Sequence, residues 1–272
     1  MPRFCCPYES AKFQGRLWTP EVMGDRQPLH WLDYQSDELA VSASAITGAT
    51  PRLGRNRNAW AAKSGGTNPA LVTRNGFNAA RFDGTQPMAH VATSGTGYVN
   101  CTLIIAGYMI SGGTNEDIVF GFGAANPSQS GADRLLYRSP NNGTMGMAGW
   151  AIDIGSSGTS WDIAGATPHA FAARKIGQPV SFDRDGSIGA SVQSFPSNPP
   201  ATLNPVISIG GISGSGGSNA YGTNMDFFEV MAWEYELTDR EYQMAQAYVC
   251  WRYGFPIVAT SPFRDRPPMI GD

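Results

Sequence analysis

Residues 225–254 read MDFFEVMAWEYELTDREYQMAQAYVCWRYG, and this stretch decides the fold class. Its first part, Phe227 to Tyr235, is a strand whose two faces are both apolar. Strict alternation puts Phe227, Met231, Trp233 and Tyr235 on one face and Phe228, Val230 and Ala232 on the other. A strand apolar on both sides is a central strand covered on both sides. Glu229 lies in the middle of it and needs a partner, because a buried unpaired carboxylate is costly. A helix follows over 238–253. Thr238 is its N-cap, and Glu241 three residues on completes a capping box. Leu237 and Tyr242 are spaced as a hydrophobic staple, and Met244, Tyr248 and Trp251 share one face. Gly254 stands at the C′ position, and Pro256 blocks continuation.

Outward from this stretch, the 272-residue chain is rich in turns, with 33 Gly and 19 Pro. Charged residues make up 15 % and the formal net charge is −3, which gives no bulk attraction for nucleic acid or an anionic membrane. No apolar run approaches the roughly 18 residues of a membrane helix. Short strand candidates recur: 28–34 (PLHWLDY), 102–109 (TLIIAGYM), 117–122 (DIVFGF), 180–182 and 206–209, with weaker ones at 135–138, 145–154, 169–174 and 190–193. The 102–109 and 117–122 runs read as a hairpin. Residues 79–84 (AARFDG) run into a turn, and Asp185-Gly186 is a tight-turn dipeptide. Residues 41–79 read as a polar stretch whose Arg52, Arg55, Arg57, Lys63 and Arg74 form a basic loop, either solvated or binding phosphate or an acidic partner. Many short strands, Gly-rich turns and one late helix predict an all-β, two-sheet antiparallel sandwich.

Three segments resemble the laminin-G-like, concanavalin A-like jelly-roll domains. LHWLDY (29–34) is similar to the family's opening strand. RNGFNAARFDG (74–84) is similar to its Asn-Gly stretch leading to Val-Arg-Phe-Asp-Gly. The 225–254 ending matches its Glu-Val strand, Leu-Thr-Asp turn and final helix, preceded by the Ile-Gly-Gly of VISIGG (206–211). FDRDGSIGA departs from the family's Asn-Gly hairpin, though Asp185-Gly186 can serve the same turn. The resemblance covers about residues 28–256. It implies a jelly-roll sandwich with one C-terminal helix, and much less about activity, since such domains serve surface proteins, carbohydrate-active enzymes and phage virion proteins.

Catalysis finds little footing. Glycoside hydrolysis needs two carboxyls about 5–10 Å apart, and the Glu-x-Asp-x-x-Glu strand of related glucanases is absent. Glu234 and Glu236 alternate onto one strand face, but at its end, where they face solvent or cap the turn. His30, His90 and His169 are far apart, with no zinc spacing. No nucleophile elbow or P-loop lysine occurs, and GISGSGGSNAYG (211–222) reads as a surface loop. Asp83, Asp117 and Asp226 are conceivable calcium donors, but no dense ligand loop surrounds them, so no metal and no cofactor is expected. Trp150, Trp161, Asn219 and Tyr221 lie in Gly-rich segments and are the candidate glycan-binding residues, with Trp60 another exposed-aromatic candidate. The sequons at Asn100 and Asn142 fit chance occurrence.

The first ten residues, MPRFCCPYES, lack the apolar stretch of a secretory signal. Cys101 and Cys250 lie in apolar runs and read as buried thiols, while adjacent Cys5 and Cys6 are poorly placed to bond each other and could cross-link to a neighbouring chain. The division expected is an N-terminal arm (1–17), a sandwich domain (18–257) and a C-terminal extended arm (258–272). Both ends are Pro-punctuated without helix or strand period. Arg3, Phe4, Cys5, Cys6, Tyr8 and Phe13 on one, and Phe263, Arg264 and Met269 on the other, are candidate anchors for a partner; packing on the parent domain is the alternative. The leading functional expectation is a non-enzymatic structural protein of a phage virion, as capsid decoration, collar or tail component. It would assemble in the host cytoplasm through contacts with other virion proteins and itself. The alternative is a glycan-binding, lectin-like module, and a hydrolase or lyase of the same fold is the least favoured.

Overall fold

A computed structural model describes residues 17–62, 68–84, 88–91, 100–111, 117–122, 134–138, 143–149, 152–160, 167–195, 206–211 and 222–272. Its strands form two antiparallel layers. The back sheet holds β1 (His30–Asp33), β5 (Ala70–Arg74), β6 (Phe77–Asp83), β8 (Cys101–Ser111), β13 (His169–Lys175), β14 (Pro179–Arg184), β15 (Ser191–Ser194) and β17 (Asn224–Trp233). The front sheet holds β2 (Glu38–Ser42), β3 (Ala45–Thr50), β4 (Trp60–Ala62), β7 (Met88–Val91), β9 (Asp117–Phe122), β10 (Arg134–Arg138), β11 (Thr144–Gly149), β12 (Ile152–Ser160) and β16 (Val206–Ile209). The back sheet runs β15–β14–β13–β8–β17–β6–β5, with β1 beside the C-terminal half of β17. The front runs β2–β3–β4–β7–β16–β9–β10–β11–β12. The helix α1 (Asp239–Tyr253) lies on the outer face of the back sheet.

The all-β sandwich with one late helix is therefore the observed architecture. Two local readings differ from the structure. Strands β8 and β9 are not a hairpin: β8 pairs with β13 and β17, and β9 with β10 and β16, so they lie in opposite layers. The 41–79 stretch is not a loop but contributes β3, β4, β5 and parts of β2 and β6, because short strands there alternate weakly between small and polar residues. The 79–84 segment is the end of β6 and runs into a bend at Gly84, φ 91°, as read from the sequence.

Two apolar layers hold the chain together. Between the sheets lie Trp60, Phe82, Ile105, Phe120, Phe171, Phe182 and Phe227, with Met145 and Met147. Between the back sheet and α1 lie Trp31, Ile104, Ala106, Phe228, Met231 and Trp233, against Met244, Ala245, Tyr248 and Val249. Strand β17 serves both layers, as its two apolar faces require. A register shift between Phe227 and Glu229 changes which residues go where. Phe227 joins Val230 and Ala232 in the inter-sheet layer, and Phe228 joins Met231 and Trp233 under the helix. Simple alternation assigns both Phe residues to the opposite faces; the extra residue of a β-bulge reverses the phase.

The capping box of α1 is formed. Glu241 N donates to Thr238 Oγ1 at 3.3 Å, and Thr238 N donates to Glu241 Oε2 at 2.9 Å. Gly254 closes the helix in the left-handed region at φ 69°. Leu237 and Tyr242 are both fully buried, as the staple spacing requires.

Residues 258–272 fold back on their own domain, which corrects the partner-anchor reading of Phe263. Phe263 is fully buried, its carbonyl accepts from Trp251 Nε1 at 2.8 Å, and the Arg240 guanidinium covers its ring at 4.8 Å. Met269 is half-buried and bridges to Leu17, and Trp18 N donates to Pro268 O at 2.9 Å. Arg264 is exposed. The N-terminal candidates Arg3, Phe4, Cys5, Cys6, Tyr8 and Phe13 lie outside the described residues.

Glu229 finds its partner across the helix–sheet boundary. It stands directly opposite Asp33 on β1, so two fully buried carboxylates face each other. Arg252 from α1 enters between them, donating to Glu229 Oε2 at 3.0 Å and to Asp33 Oδ2 at 2.8 Å. Trp31 Nε1 and Tyr253 OH also donate to Glu229, at 2.6 and 2.8 Å. One cation serves two carboxylates. Burial, with Asp33 adding to it, pushes Glu229 up to about 7 against the opposing pull of Arg252.

Arg252→Met should therefore destabilise the fold by about 3–5 kcal/mol, as expected when a buried ion pair loses one partner. Urea denaturation checks this. The folded chain also holds a proton on Glu229 more tightly than the unfolded chain, whose ordinary value is 4.5. Stability from this group is complete below about 4.5 and is lost as pH rises through about 7. Asp37, raised to about 7 chiefly by burial, adds a slope of the same sign. Denaturation midpoints between pH 4.5 and 7.5 should thus fall with rising pH, and Glu229→Gln should shrink the slope without abolishing it.

Candidate functional site

The outer face of the back sheet is only partly covered. Along β8 the outward residues Ile104 and Ala106 pack in the layer beneath α1, while the next one, Tyr108, is half-buried and stands outside that layer. Register places Tyr108 beside Asp226 on β17, and Asp226 beside Arg81 on β6. The same alternation puts Asp83 and Asn224, paired with each other, one outward position further along. A polar area that α1 does not cover results, floored by three neighbouring strands.

Asp226 organises it. Its side chain is fully buried, and Arg81 grips it from the side, Nε to Oδ1 at 2.7 Å and Nη2 to Oδ2 at 2.9 Å. Arg74, from the end of β5, brings its Nε to 3.2 Å from Asp226 Oδ2. The Arg74 guanidinium carbon lies 3.7 Å from the centre of the Tyr108 ring. A buried carboxylate thus orients two guanidinium groups, and the ring fixes the plane of one. The side chains of Arg81 and Arg74 keep 42 % and 26 % exposure, so both present nitrogens outward. The hydrogen bond to Asp226 keeps Arg81 even more firmly protonated than an ordinary arginine. Charge-assisted bonds of this geometry are the strong ones, and the planar fork suits oxygen-rich ligands.

The buried carboxylates elsewhere serve the framework. Asp183 accepts from Ala190 N at 2.8 Å and Tyr242 OH at 3.2 Å, and Ser181 Oγ donates to it as well. Asp185 binds His169 Nδ1 at 2.6 Å and accepts from Ala170 N at 3.0 Å, which makes His169 part of a structural pair. Glu234 pairs with Arg55 at the end of the strand, consistent with the turn position expected for it. Among the described residues, no group of three His, Cys, Asp or Glu is placed to hold a metal ion. Asp226 is taken by two arginines and cannot serve as the calcium donor considered from sequence. Cys101 and Cys250 are buried free thiols, and burial pushes the Cys250 thiol well up.

The aromatic candidates fare differently. Trp60 is 2 % exposed and belongs to the inter-sheet core, so it is not a platform; its alternation with Ala61 turns it inward. Trp150, Trp161, Asn219 and Tyr221 lie outside the described residues. Gly222, which follows Tyr221 in sequence, packs so closely on Gly84 that a Cβ there would meet Gly84 O at 1.8 Å. The basic run separates: Arg52 pairs with Glu38, Arg55 with Glu234, Arg57 donates to Gly54 O, Lys63 lies outside the described residues, and Arg74 joins the Asp226 cluster. Sequence reading missed Tyr108 and Arg81. The available signal was Asp226 itself, a carboxylate at the head of a doubly buried strand, which demands a cation from a neighbour.

No protein-family model matches the chain, and no curated protein sequence matches it. Among solved structures, it is similar to the Ruminococcus gnavus IT-sialidase CBM40 bound to alpha2,3 sialyllactose, at 13 % identity and TM-score 0.43, over 54 % of this chain and 82 % of that one. It is also similar to the leech intramolecular trans-sialidase, at 12 % identity and TM-score 0.44, over 56 % of this chain and 23 % of that one. A third is the Trypanosoma rangeli sialidase in complex with sialic acid, at 13 % identity and TM-score 0.49, over 80 % of this chain and 32 % of that one. These partial likenesses leave the site to be judged on the chain's own geometry.

Proposed function

We propose that the protein is a non-catalytic glycan-binding module whose ligand sits on the outer face of the back sheet, at Arg74, Arg81 and Tyr108. One observation carries this reading: a fully buried Asp226 holds two partly exposed guanidinium groups in fixed orientation on a sheet face that α1 does not cover. A saccharide offers many hydroxyl oxygens in a rigid frame. Fixed donors from the arginines match that chemistry. Pre-orientation by Asp226 spares the ordering cost that mobile surface arginines incur on binding.

A structural virion role, with self-association, is the competing reading. It relies on terminal arms that grip neighbours. Residues 258–272 pack on their own domain and residues 1–16 lie outside the described residues, so it has no comparable observation behind it.

The test is an oligosaccharide array probed with the full chain, followed by titration calorimetry of the members retained. At least one saccharide should bind, and Arg81→Gln should weaken it by about tenfold or more, the loss of one or two charge-assisted hydrogen bonds. Arg264→Gln, at an exposed position in the C-terminal segment, should leave affinity unchanged. An array with no saccharide bound above background overturns the proposal.

A further inference from the structure

Resting on that reading, we infer that the saccharide is anionic, and that Arg74 and Arg81 together take its acidic group. Three features of the site carry this. The first is its inventory of donors. Arg81 uses Nε and Nη2 on Asp226, and Arg74 uses only Nε. Nη1 of Arg81 and both terminal nitrogens of Arg74 have no protein partner among the described residues. A guanidinium donates and never accepts, whereas a sugar hydroxyl both donates and accepts. A carboxylate or sulfate only accepts, so it satisfies these nitrogens without leaving a donor stranded.

The second feature is the Tyr108 ring. Neutral sugars are commonly held by stacking an apolar face on an open aromatic ring. Here the Arg74 guanidinium already lies over the ring at 3.7 Å. A pyranose could stack there only by displacing a cation from both an aromatic face and a buried carboxylate. The ring is therefore a support for Arg74, which it holds flat with its terminal nitrogens available.

The third feature is charge. Two guanidinium groups share one buried carboxylate, so the cluster of Arg74, Arg81 and Asp226 carries one positive charge in a chain whose net charge is −3. That cluster suits a ligand with one acidic group over the arginines. Attraction at long range is weak in a chain of this net charge, so recognition is local and falls as salt screens it.

The experiment titrates the full chain with an oligogalacturonate, its carboxyl-reduced neutral counterpart, and a sulfated chondroitin oligosaccharide, alongside the array described above. Arg74→Gln is the informative variant, because the Arg81–Asp226 pair survives in it and the fold keeps its buried partner; an unchanged melting temperature verifies this. The inference expects acidic members to bind at least about tenfold more tightly than the reduced one, with that advantage lost in Arg74→Gln and diminished at raised salt. The greater loss, on the carboxylated or the sulfated ligand, identifies which acidic group the arginines take. Equal binding of acidic and neutral members, or acidic binding indifferent to Arg74→Gln, overturns the inference while glycan binding stands. No binding by any saccharide on the array overturns the glycan reading and this inference with it.

Discussion

The fold hinges on a carboxylate in an unfavourable place. Glu229 sits in the middle of a strand buried on both faces, directly opposite a second carboxylate, Asp33. Like charges opposite one another in a sheet repel, and burial magnifies the cost. The remedy comes from outside the sheet, as Arg252 on the last turn of α1. Helix and sheet are thereby keyed together at one point, and Trp31, Tyr248 and Tyr253 close around it. The apolar layer beneath α1 supplies the bulk of the association, but it is non-directional. The arginine and its two carboxylates set where along the sheet the helix comes to rest.

Asp226, three residues before Glu229, meets the same requirement differently. Its cations come from neighbouring strands, where α1 does not cover the face. In one place the buried acid is consumed by the framework; in the other it holds two arginines out toward solvent. That contrast separates a structural ion cluster from the proposed recognition surface on a single strand.

Much of the architecture is legible in the chain. The doubly apolar strand at 227–235 and the capped helix after it are written in spacing and cap chemistry, and Glu229's need for a partner follows from its position. The strands of 41–79 are not legible, because Ala, Gly and Thr carry too little apolar contrast to show a period of two. The bulge at Phe228 is hidden as well: inserting one residue leaves composition untouched yet reverses the phase of the strand before it. The separation of β8 and β9 is not legible either, because nearness in sequence suggests a hairpin, while the sandwich sends these consecutive strands to opposite layers. At the candidate site, Arg74 shows in the sequence only as one of several basic residues. Its tie to Asp226 depends on strand order, which links positions about 150 apart and leaves no local trace.

That strand order also shapes how the molecule can form. Strand β17, near the C-terminus, hydrogen-bonds with β1, β6 and β8. The back sheet therefore lacks its centre until residues 224–233 arrive, and most of the chain must first be held together across long separations. Topologies dominated by distant pairings close slowly, on about the millisecond-to-second scale in small domains. During synthesis the early strands would wait with open edges while the strand that joins them is still being made. An exposed edge in that interval invites pairing with another chain.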